Sequence, residues 1–194
     1  MHELLIRMDK LISDCWISFA HKVGDERIII GSRNSMLVHY THLLKNTMDL
    51  VLYRKSEKVE LMFDSVIENQ NLEIENLLHL SDGKETSNIP FILRFSSGED
   101  QDGLRQTEFR KGIYQDLMHL EKVSSHRRFE SCYSLIMTDV RKLVINDENV
   151  KFPIAEGTHI NSFKDKDTGI QLEKDYTFDW HKHGKFWFSL VQGI

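Results

Sequence analysis

Two acidic residues, Asp49 and Glu60, are separated by ten residues in a stretch with the pattern of a β-hairpin. Residues 49–53 and 59–63 are short runs of strand-favouring residues, and the polar segment between them suits a chain reversal. Because side chains alternate along a strand, Glu60 and Met62 point to one face. Two carboxylates on neighbouring strands are a common way to bind a hard divalent cation such as Mg²⁺ or Mn²⁺. The spacing therefore predicts a metal site on this hairpin.

The same residues resemble the motif of the PD-(D/E)xK nuclease superfamily, whose members have the restriction-endonuclease-like fold. That motif is an Asp, a gap similar to the one here, and then Glu-x-Lys. Asp49 and Glu60 provide the acids, and Met62 stands in place of the lysine. The resemblance implies a metal-dependent nuclease in which both acids hold Mg²⁺ or Mn²⁺. Since the family's lysine helps to position or activate the attacking water and a thioether does neither, the chain is expected to be nearly inactive as written.

Two functional classes stay open at this point. The first is a nuclease that hydrolyses phosphodiesters, including an inactive form with Met62 or one in which a displaced lysine such as Lys58 substitutes. The second is a catalytically decayed nuclease fold that binds nucleic acid or a protein partner. An alternative alignment places a degraded Glu-x-Lys at Ile92-Leu93-Arg94. The first alignment is preferred because it keeps both acids.

The helix predicted before the hairpin, which Ser32 or Asn34 caps, contributes to the resemblance. Family members often carry a further acid near its start, where this chain has Arg33 and Asn34. The helix also carries His39 and His42, which are three residues apart and therefore near neighbours on its surface. Some nucleases of this fold use a helix histidine as a metal ligand, so the resemblance implies His39 as the candidate third ligand. Two surface histidines without a metal are the alternative.

A second helix, predicted from about residue 107 to 123, extends the resemblance. Its sequence from Tyr114 to Glu121, Tyr-x-Asp-Leu-x-x-Leu-Glu, is similar to a helix in a subgroup of uncharacterised bacterial proteins of this superfamily. The apolar strand predicted at 132–138 follows it and ends in Asp139, as the strand of that subgroup commonly does. The order of these elements resembles that of the superfamily over roughly residues 32–191.

Basic residues are concentrated in residues 105–128, which contain six basic and three acidic side chains. We expect Arg110, Lys111, Arg127 and Arg128 to contact the phosphates of nucleic acid, DNA more than RNA, with little sequence readout. A solvated charged helix face is the alternative interpretation.

The composition is that of a soluble globular protein, and 194 residues suit a single domain from residue 1 to 194. A net charge of −5 argues against wholesale wrapping of nucleic acid but permits a local basic groove. Charged residues interrupt the first 20 positions, so neither a signal peptide nor a membrane span is expected. Cys15 and Cys132 are far apart and read as reduced thiols. These features predict a cytoplasmic protein without membrane contact, able to act as a homodimer or with a protein partner.

The alternation of helical and strand periods predicts an α/β fold with a mixed central β-sheet flanked by helices. We expect Asp49 and Glu60 on adjacent strands, with the helices at 2–22 and 107–123 packed on the sheet and 132–137 as an inner strand. The remaining expectations are a short extended segment at 27–31, a polar insertion at 64–88, a strand at 89–95, and a terminal hairpin of 176–180 and 186–191 around a turn at 181–184.

Overall fold

The computed structural model describes residues 1–67, 72–98, 103–125, 129, 131–145 and 150–193. Its elements, in chain order, are α1 (His2–Gly24), α2 (Arg33–Met48), a 3₁₀ helix (Asp49–Val51), β1 (Lys58–Ile67), β2 (Leu72–Ser81), β3 (Thr86–Ser96), α3 (Gly103–Ser124), β4 (Cys132–Thr138), α4 (Arg141–Ile145), β5 (Thr158–Asp165), β6 (Ile170–Phe178), β7 (Trp180–His183) and β8 (Phe186–Gly193). Within the described residues, six strands form one mixed sheet in the order β1-β2-β3-β4-β8-β7. The predicted α/β fold with a helix-flanked mixed sheet is confirmed.

The N-terminal helix α1 has the amphipathic pattern that the sequence predicts. Its apolar stripe is buried, with Trp16 and Phe19 stacked at a ring distance of 5.5 Å. Helix α1 ends at Gly24, where the chain approaches the β7–β8 hairpin closely. A Cβ atom on this glycine would lie 2.8 Å from the Cβ atom of His183. Residues 27–31, which were expected to be extended, form a loop instead.

A reciprocal cap fixes the start of α2. The Ser32 hydroxyl accepts from the Ser35 N–H at 3.2 Å, and the Ser35 hydroxyl accepts from the Ser32 N–H at 3.0 Å. At its other end the helix passes directly into the 3₁₀ turn, because Asp49 keeps helical dihedral angles. The predicted strand at 49–53 is therefore wrong. Its apolar side chains Leu50 and Tyr53 are exposed, so no sheet covers them.

The strand that pairs with β1 comes after it in the chain, so the predicted hairpin partner is also wrong. Strand β2 runs antiparallel to β1, with Glu60 opposite His79. The expected polar insertion at 64–88 thus contains the whole of β2, the end of β1 and the start of β3. Leu78 and Leu80 of β2 are fully buried in the core, and this burial outweighs the polar and charged residues elsewhere in the strand. The turn at Asp82-Gly83 is as predicted, and Gly83 has the positive φ that a turn requires.

Strands β3 and β4 are parallel, and α3 connects them across one face of the sheet. Every residue of β4 is buried, which confirms the predicted inner strand. Strand β8 pairs antiparallel with β4 on its other side. Helices α1 and α2 pack on one face of the sheet and α3 packs on the opposite face.

The C-terminal part of the chain differs from the predicted single hairpin. Strand β6 pairs with β5 in a separate two-stranded sheet, while β7 pairs with β8. His181 and His183 therefore lie in strand β7 and not in a turn. Among the helices of the described residues, none has the length and apolar character needed to cross a membrane.

Candidate functional site

The residues of the predicted metal site do not form it. Asp49 follows α2, whereas Glu60 lies on β1, and β1 pairs with a different strand. His39 faces solvent on α2, ten residues before Asp49. Since the helix rises about 1.5 Å per residue, some 15 Å of helix separates these two ligands. Among the described residues, no group of three or more His, Cys, Asp or Glu side chains is arranged to hold a metal ion. The three predicted ligands thus do not lie together, and a Mg²⁺ or Mn²⁺ site made by Asp49 and Glu60 alone stays a prediction.

Met62 lies on the same strand as Glu60, on the face opposite to the core residues Val59 and Leu61. The predicted alternation of this strand is confirmed. The Met62 side chain is partly exposed and stands opposite Leu77 of β2. The residue directly opposite Met62 is thus apolar, and the second acid of the hairpin motif, Asp49, does not lie on the neighbouring strand.

A different group of charges converges at one end of the sheet. Arg33 in the first turn of α2, Glu75 on β2, Arg94 on β3 and Asp116 on α3 form what we call the arginine–carboxylate cluster. The Arg33 guanidinium forms an ion pair with Glu75, and its Nε atom donates to the Leu93 carbonyl oxygen at 2.7 Å. These contacts join α2 to the second and third strands of the sheet.

The second ion pair of the cluster is more deeply buried. The Arg94 guanidinium donates through two nitrogens to both carboxylate oxygens of Asp116, with the Nη2 to Oδ1 distance at 2.7 Å. Burial raises the pKa of Asp116, the Arg94 hydrogen bond opposes that rise, and the charges of Glu75 and Arg33 also act on it. The four side chains therefore form one electrostatic group, although they come from four separate elements.

A glycine in α3 makes room for the Arg94 guanidinium. A Cβ atom on Gly112 would lie 2.8 Å from the Arg94 Cζ atom, closer than ordinary van der Waals contact. Glycine within a helix costs about 1 kcal/mol relative to alanine. Gly112 thus lowers the stability of the helix but leaves space for the buried ion pair.

No protein family model, curated protein or solved structure matches this chain.

The chemistry of the cluster follows from its charge balance. Each carboxylate is neutralised by a guanidinium group, so a divalent cation would have to displace an arginine to reach it. Arginine side chains match the geometry of phosphate oxygens with a planar fork of donors. The Arg33 side chain is 43% exposed and that of Arg94 is 30% exposed. A phosphate would likewise compete with Glu75 and Asp116 for these donors, and Arg33, the more exposed of the two arginines, is better placed to meet it.

The predicted nucleic-acid residues of α3 differ in accessibility. Arg110 is buried and donates to the Lys142 carbonyl oxygen at 3.2 Å, so its expected contact with phosphates is wrong. The reason is that α4 covers this side of α3. Lys111 lies 3.6 Å from Glu108 in an exposed ion pair. The remaining two predicted contacts, Arg127 and Arg128, lie outside the described residues.

Two other acids noted in the sequence have structural partners. The Glu121 carboxylate accepts from the backbone N–H groups of Glu173 and Lys174 and from the Tyr176 hydroxyl, which attaches β6 to α3. Asp139 accepts from the Gly98 N–H at 2.8 Å. Both carboxylates hold backbone segments in place.

Sequence reasoning missed two members of this site. Glu75 lies in the stretch that the sequence predicts as an insertion, although Leu72 and Ile74 alternate with Glu73 and Glu75 as in a strand. Gly112 interrupts an otherwise strong helical pattern, and an isolated glycine in a helix often indicates close packing. Arg33 and Arg94 were recognised only as departures from the expected acid and lysine.

Proposed function

We propose that this protein is a nuclease-derived binding module that contacts the phosphates of nucleic acid, DNA in preference to RNA, and does not hydrolyse them. The observation that carries the proposal is the arginine–carboxylate cluster. It places two partly exposed guanidinium groups at the end of the sheet and leaves no acid without a cationic partner within the cluster.

The order of elements supports descent from the restriction-endonuclease-like fold. A helix, three antiparallel strands, a crossover helix and a strand parallel to the third one follow each other, and the helix before the strands and the succession of α3 and β4 match the order on which the resemblance depends. In the alternative alignment, Arg94 takes the place of the motif lysine and Arg33 that of the helix acid. Both arginines belong to the cluster, so the cluster is where this alignment puts the catalytic centre.

Loss of hydrolysis follows from the side chains at these positions. In such nucleases carboxylates hold the metal that activates the attacking water. In this chain the apolar Ile92 takes the place of the motif glutamate, and it is buried against Leu120. Guanidinium groups pair with the remaining carboxylates. Binding of phosphate by arginine is the part of the chemistry that these residues retain.

Binding is tested with fluorescently labelled double-stranded DNA, single-stranded DNA and RNA, by anisotropy at a series of salt concentrations. We expect affinity to fall with salt and double-stranded DNA to bind best. Arg33→Ala should weaken binding and reduce the magnitude of the salt slope by about 1, as expected for one lost phosphate contact. The matched control is Arg27→Ala, which removes the same charge from an exposed side chain in the loop after α1.

Hydrolysis is tested on the same three nucleic acids with Mg²⁺ and with Mn²⁺. We expect no cleavage by the wild type, and none by Met62→Lys, the change that the hairpin motif predicts to restore activity. Cleavage that Asp49→Asn or Glu60→Gln abolishes would return the chain to the nuclease class. Absence of binding to all three nucleic acids at low salt would refute the phosphate contact and favour a protein partner.

A further inference from the structure

The outer edge of β1 is free within the part of the chain that the structure describes. Strand β1 is the first strand of the sheet order and is ten residues long. A free strand edge presents N–H and C=O groups that can pair with another strand. Exposed apolar side chains accompany this edge: Met62, Phe63 and Val66 are 41%, 49% and 56% exposed. The edge therefore offers both backbone pairing and apolar contact.

The other edge of the same sheet is different. Strand β7 has four residues, and its sequence is Trp-His-Lys-His. Short strands and charged side chains are two devices by which proteins protect sheet edges against association. Because β7 has both and β1 is long and partly apolar, β1 is the edge suited to a partner.

We propose that β1 pairs antiparallel with β1 of a second copy of this chain, around a two-fold axis at Leu61. A two-fold axis perpendicular to the sheet keeps each face of one copy level with the same face of the other. Side chains that stand directly opposite each other must then point to the same face of the sheet, so their residue numbers are both odd or both even. The axis therefore passes through a residue and not between two residues.

Among the three central residues Glu60, Leu61 and Met62, the charges favour Leu61 as the centre. Pairing around Leu61 places Lys58 opposite Asp64 twice, once on each side of the axis. Pairing around Glu60 would place this acid opposite its own copy, and pairing around Met62 would place Glu60 opposite Asp64. Like charges directly opposite each other destabilise a sheet, and unlike charges stabilise it.

The apolar residues agree with the same centre. Val59 would stand opposite Phe63, and Leu61 would stand opposite its own copy. Val59 and Leu61 pack towards α1 and α2, and strand alternation puts Phe63 on the same face. The half-exposed Phe63 ring would thus gain a branched apolar neighbour, a favourable cross-strand pair.

The backbone limits the interface to the same segment. Asp64 has a φ of 47°, which departs from extended strand geometry. Regular strand geometry therefore extends from Lys58 to Phe63, with Asp64 just beyond its end, and Leu61 is one of the two central residues of that segment. The centre favoured by the charges is thus compatible with the backbone.

The experiment measures mass by light scattering and sedimentation over a range of protein concentrations. We expect the wild type to approach twice the 22.9 kDa of one chain as concentration rises. Lys58→Asp and Asp64→Lys should each shift the protein to the monomer, because each change places like charges opposite one another. The double variant restores both pairs with their signs exchanged, so we expect it to dimerise again.

A second pair of variants tests the apolar contact without charge. Phe63→Ser should weaken the dimer, whereas Leu104→Ser, which removes an exposed leucine from the start of α3, should leave it unchanged. Circular dichroism verifies that each variant is folded. A wild type that remains monomeric at the highest concentration overturns the proposal. So does a dimer that tolerates Lys58→Asp, Asp64→Lys and Phe63→Ser alike, because its interface would lie elsewhere.

Discussion

The two faces of the six-stranded sheet are built from different kinds of residue. The face under α1 and α2 is apolar and contains a group of aromatic rings, in which Trp16 and Phe19 each contact both Tyr40 and Phe188. Strand alternation puts Arg94, Ser134 and Ser189 on the opposite face, under α3. The α3 face has an apolar cluster as well, to which Ile136 and Val191 of the sheet belong, so what distinguishes this face is the polar groups that lie beside that cluster.

The polar face also has imperfect hydrogen bonding. Among the described residues, the hydroxyl oxygens of Ser134 and Ser189 are fully buried and have no hydrogen-bond partner. An unpartnered buried hydroxyl reduces stability. A face with such groups and a buried ion pair is less optimised for stability than its apolar counterpart, which is common where residues are retained for function.

The largest effect is expected on the apolar face. Phe19→Ala removes a fully buried ring and leaves a cavity between α1, α2 and β8, so it should cost about 3–5 kcal/mol of unfolding free energy. Urea denaturation measures this loss. The control is Ile17→Ala on the outer side of the same helix, where we expect a change of about 0.5 kcal/mol or less. Similar losses for both would show that α1 is not packed as described.

The next largest effect concerns the buried ion pair of the polar face. Arg94→Met should cost about 3 kcal/mol, because it leaves the Asp116 carboxylate buried without its partner. Asp116→Leu should cost less, since the Arg94 side chain is 30% exposed and that of Asp116 only 11%. The variant with both changes should regain most of the unfolding free energy that Arg94→Met alone loses. Additive losses in this double-mutant cycle would mean that the two side chains do not interact.

How much of the fold could be predicted depends on the range of the interactions. The helix at α1 and the strand at β4 have patterns that local periodicity reports, and both were predicted. Strand β2 was missed because Glu73, Glu75, Asn76 and His79 interrupt its apolar pattern, and its pairing with β1 compensates for them. Asp49 was misplaced because the helix before it continues into a 3₁₀ turn, which strand propensity does not report.

The candidate site was harder to predict for a related reason. Its four charges lie between residues 33 and 116 and meet only after the sheet has formed. Sequence spacing does not show which arginine neutralises which carboxylate. Sequence spacing therefore points to Asp49 and Glu60, the acids that are close in sequence. Glu75 and Asp116, the acids that lie close to the arginines in space, have no such spacing.

Substitution of Gly112 should change the unfolding free energy by an intermediate amount, with opposite signs in the wild type and in the Arg94→Met variant. In the wild type, Gly112→Ala should cost about 1–2 kcal/mol, because the added Cβ displaces the Arg94 guanidinium from Asp116. In the Arg94→Met background the same change should stabilise α3, by up to about 1 kcal/mol, since only the better helix propensity of alanine remains. Denaturation of the four proteins measures both values. Stabilisation in both backgrounds would show that the glycine does not make room for the arginine.

The unpartnered hydroxyls predict a small gain in stability. Ser134→Ala and Ser189→Ala should each raise the unfolding free energy by up to about 1 kcal/mol, because each removes a buried donor without a partner. Thr41→Ala is the contrasting control, because its hydroxyl donates to the Leu37 carbonyl oxygen at 2.7 Å. It should give a loss. A loss for both serines instead would indicate that their hydroxyls bind water or a ligand in solution.

The smallest effect concerns a titratable group at the border of the apolar face. The His183 ring on β7 contacts Phe188 at a ring distance of 5.8 Å and His21 of α1 at 4.3 Å. Burial lowers the pKa of His183, the nearby His21 and His181 lower it further, and Asp25 opposes them. Protonation is therefore less favourable in the folded protein than in the unfolded chain.

The sign of the pH dependence follows from this lowered pKa. The unfolded chain binds the proton first, so the contribution of His183 to stability is complete above the ordinary histidine pKa of about 6.5 and decreases as the pH falls below it. His183→Gln should make the decline between pH 7 and pH 5 shallower, as followed by urea denaturation at several pH values. His39→Gln, which replaces an exposed histidine of α2, controls for the loss of an imidazole. An equal decline of stability in wild type and His183→Gln would mean that acid acts through other groups. The contact between α1 and the β7–β8 hairpin would then not depend on pH in this range.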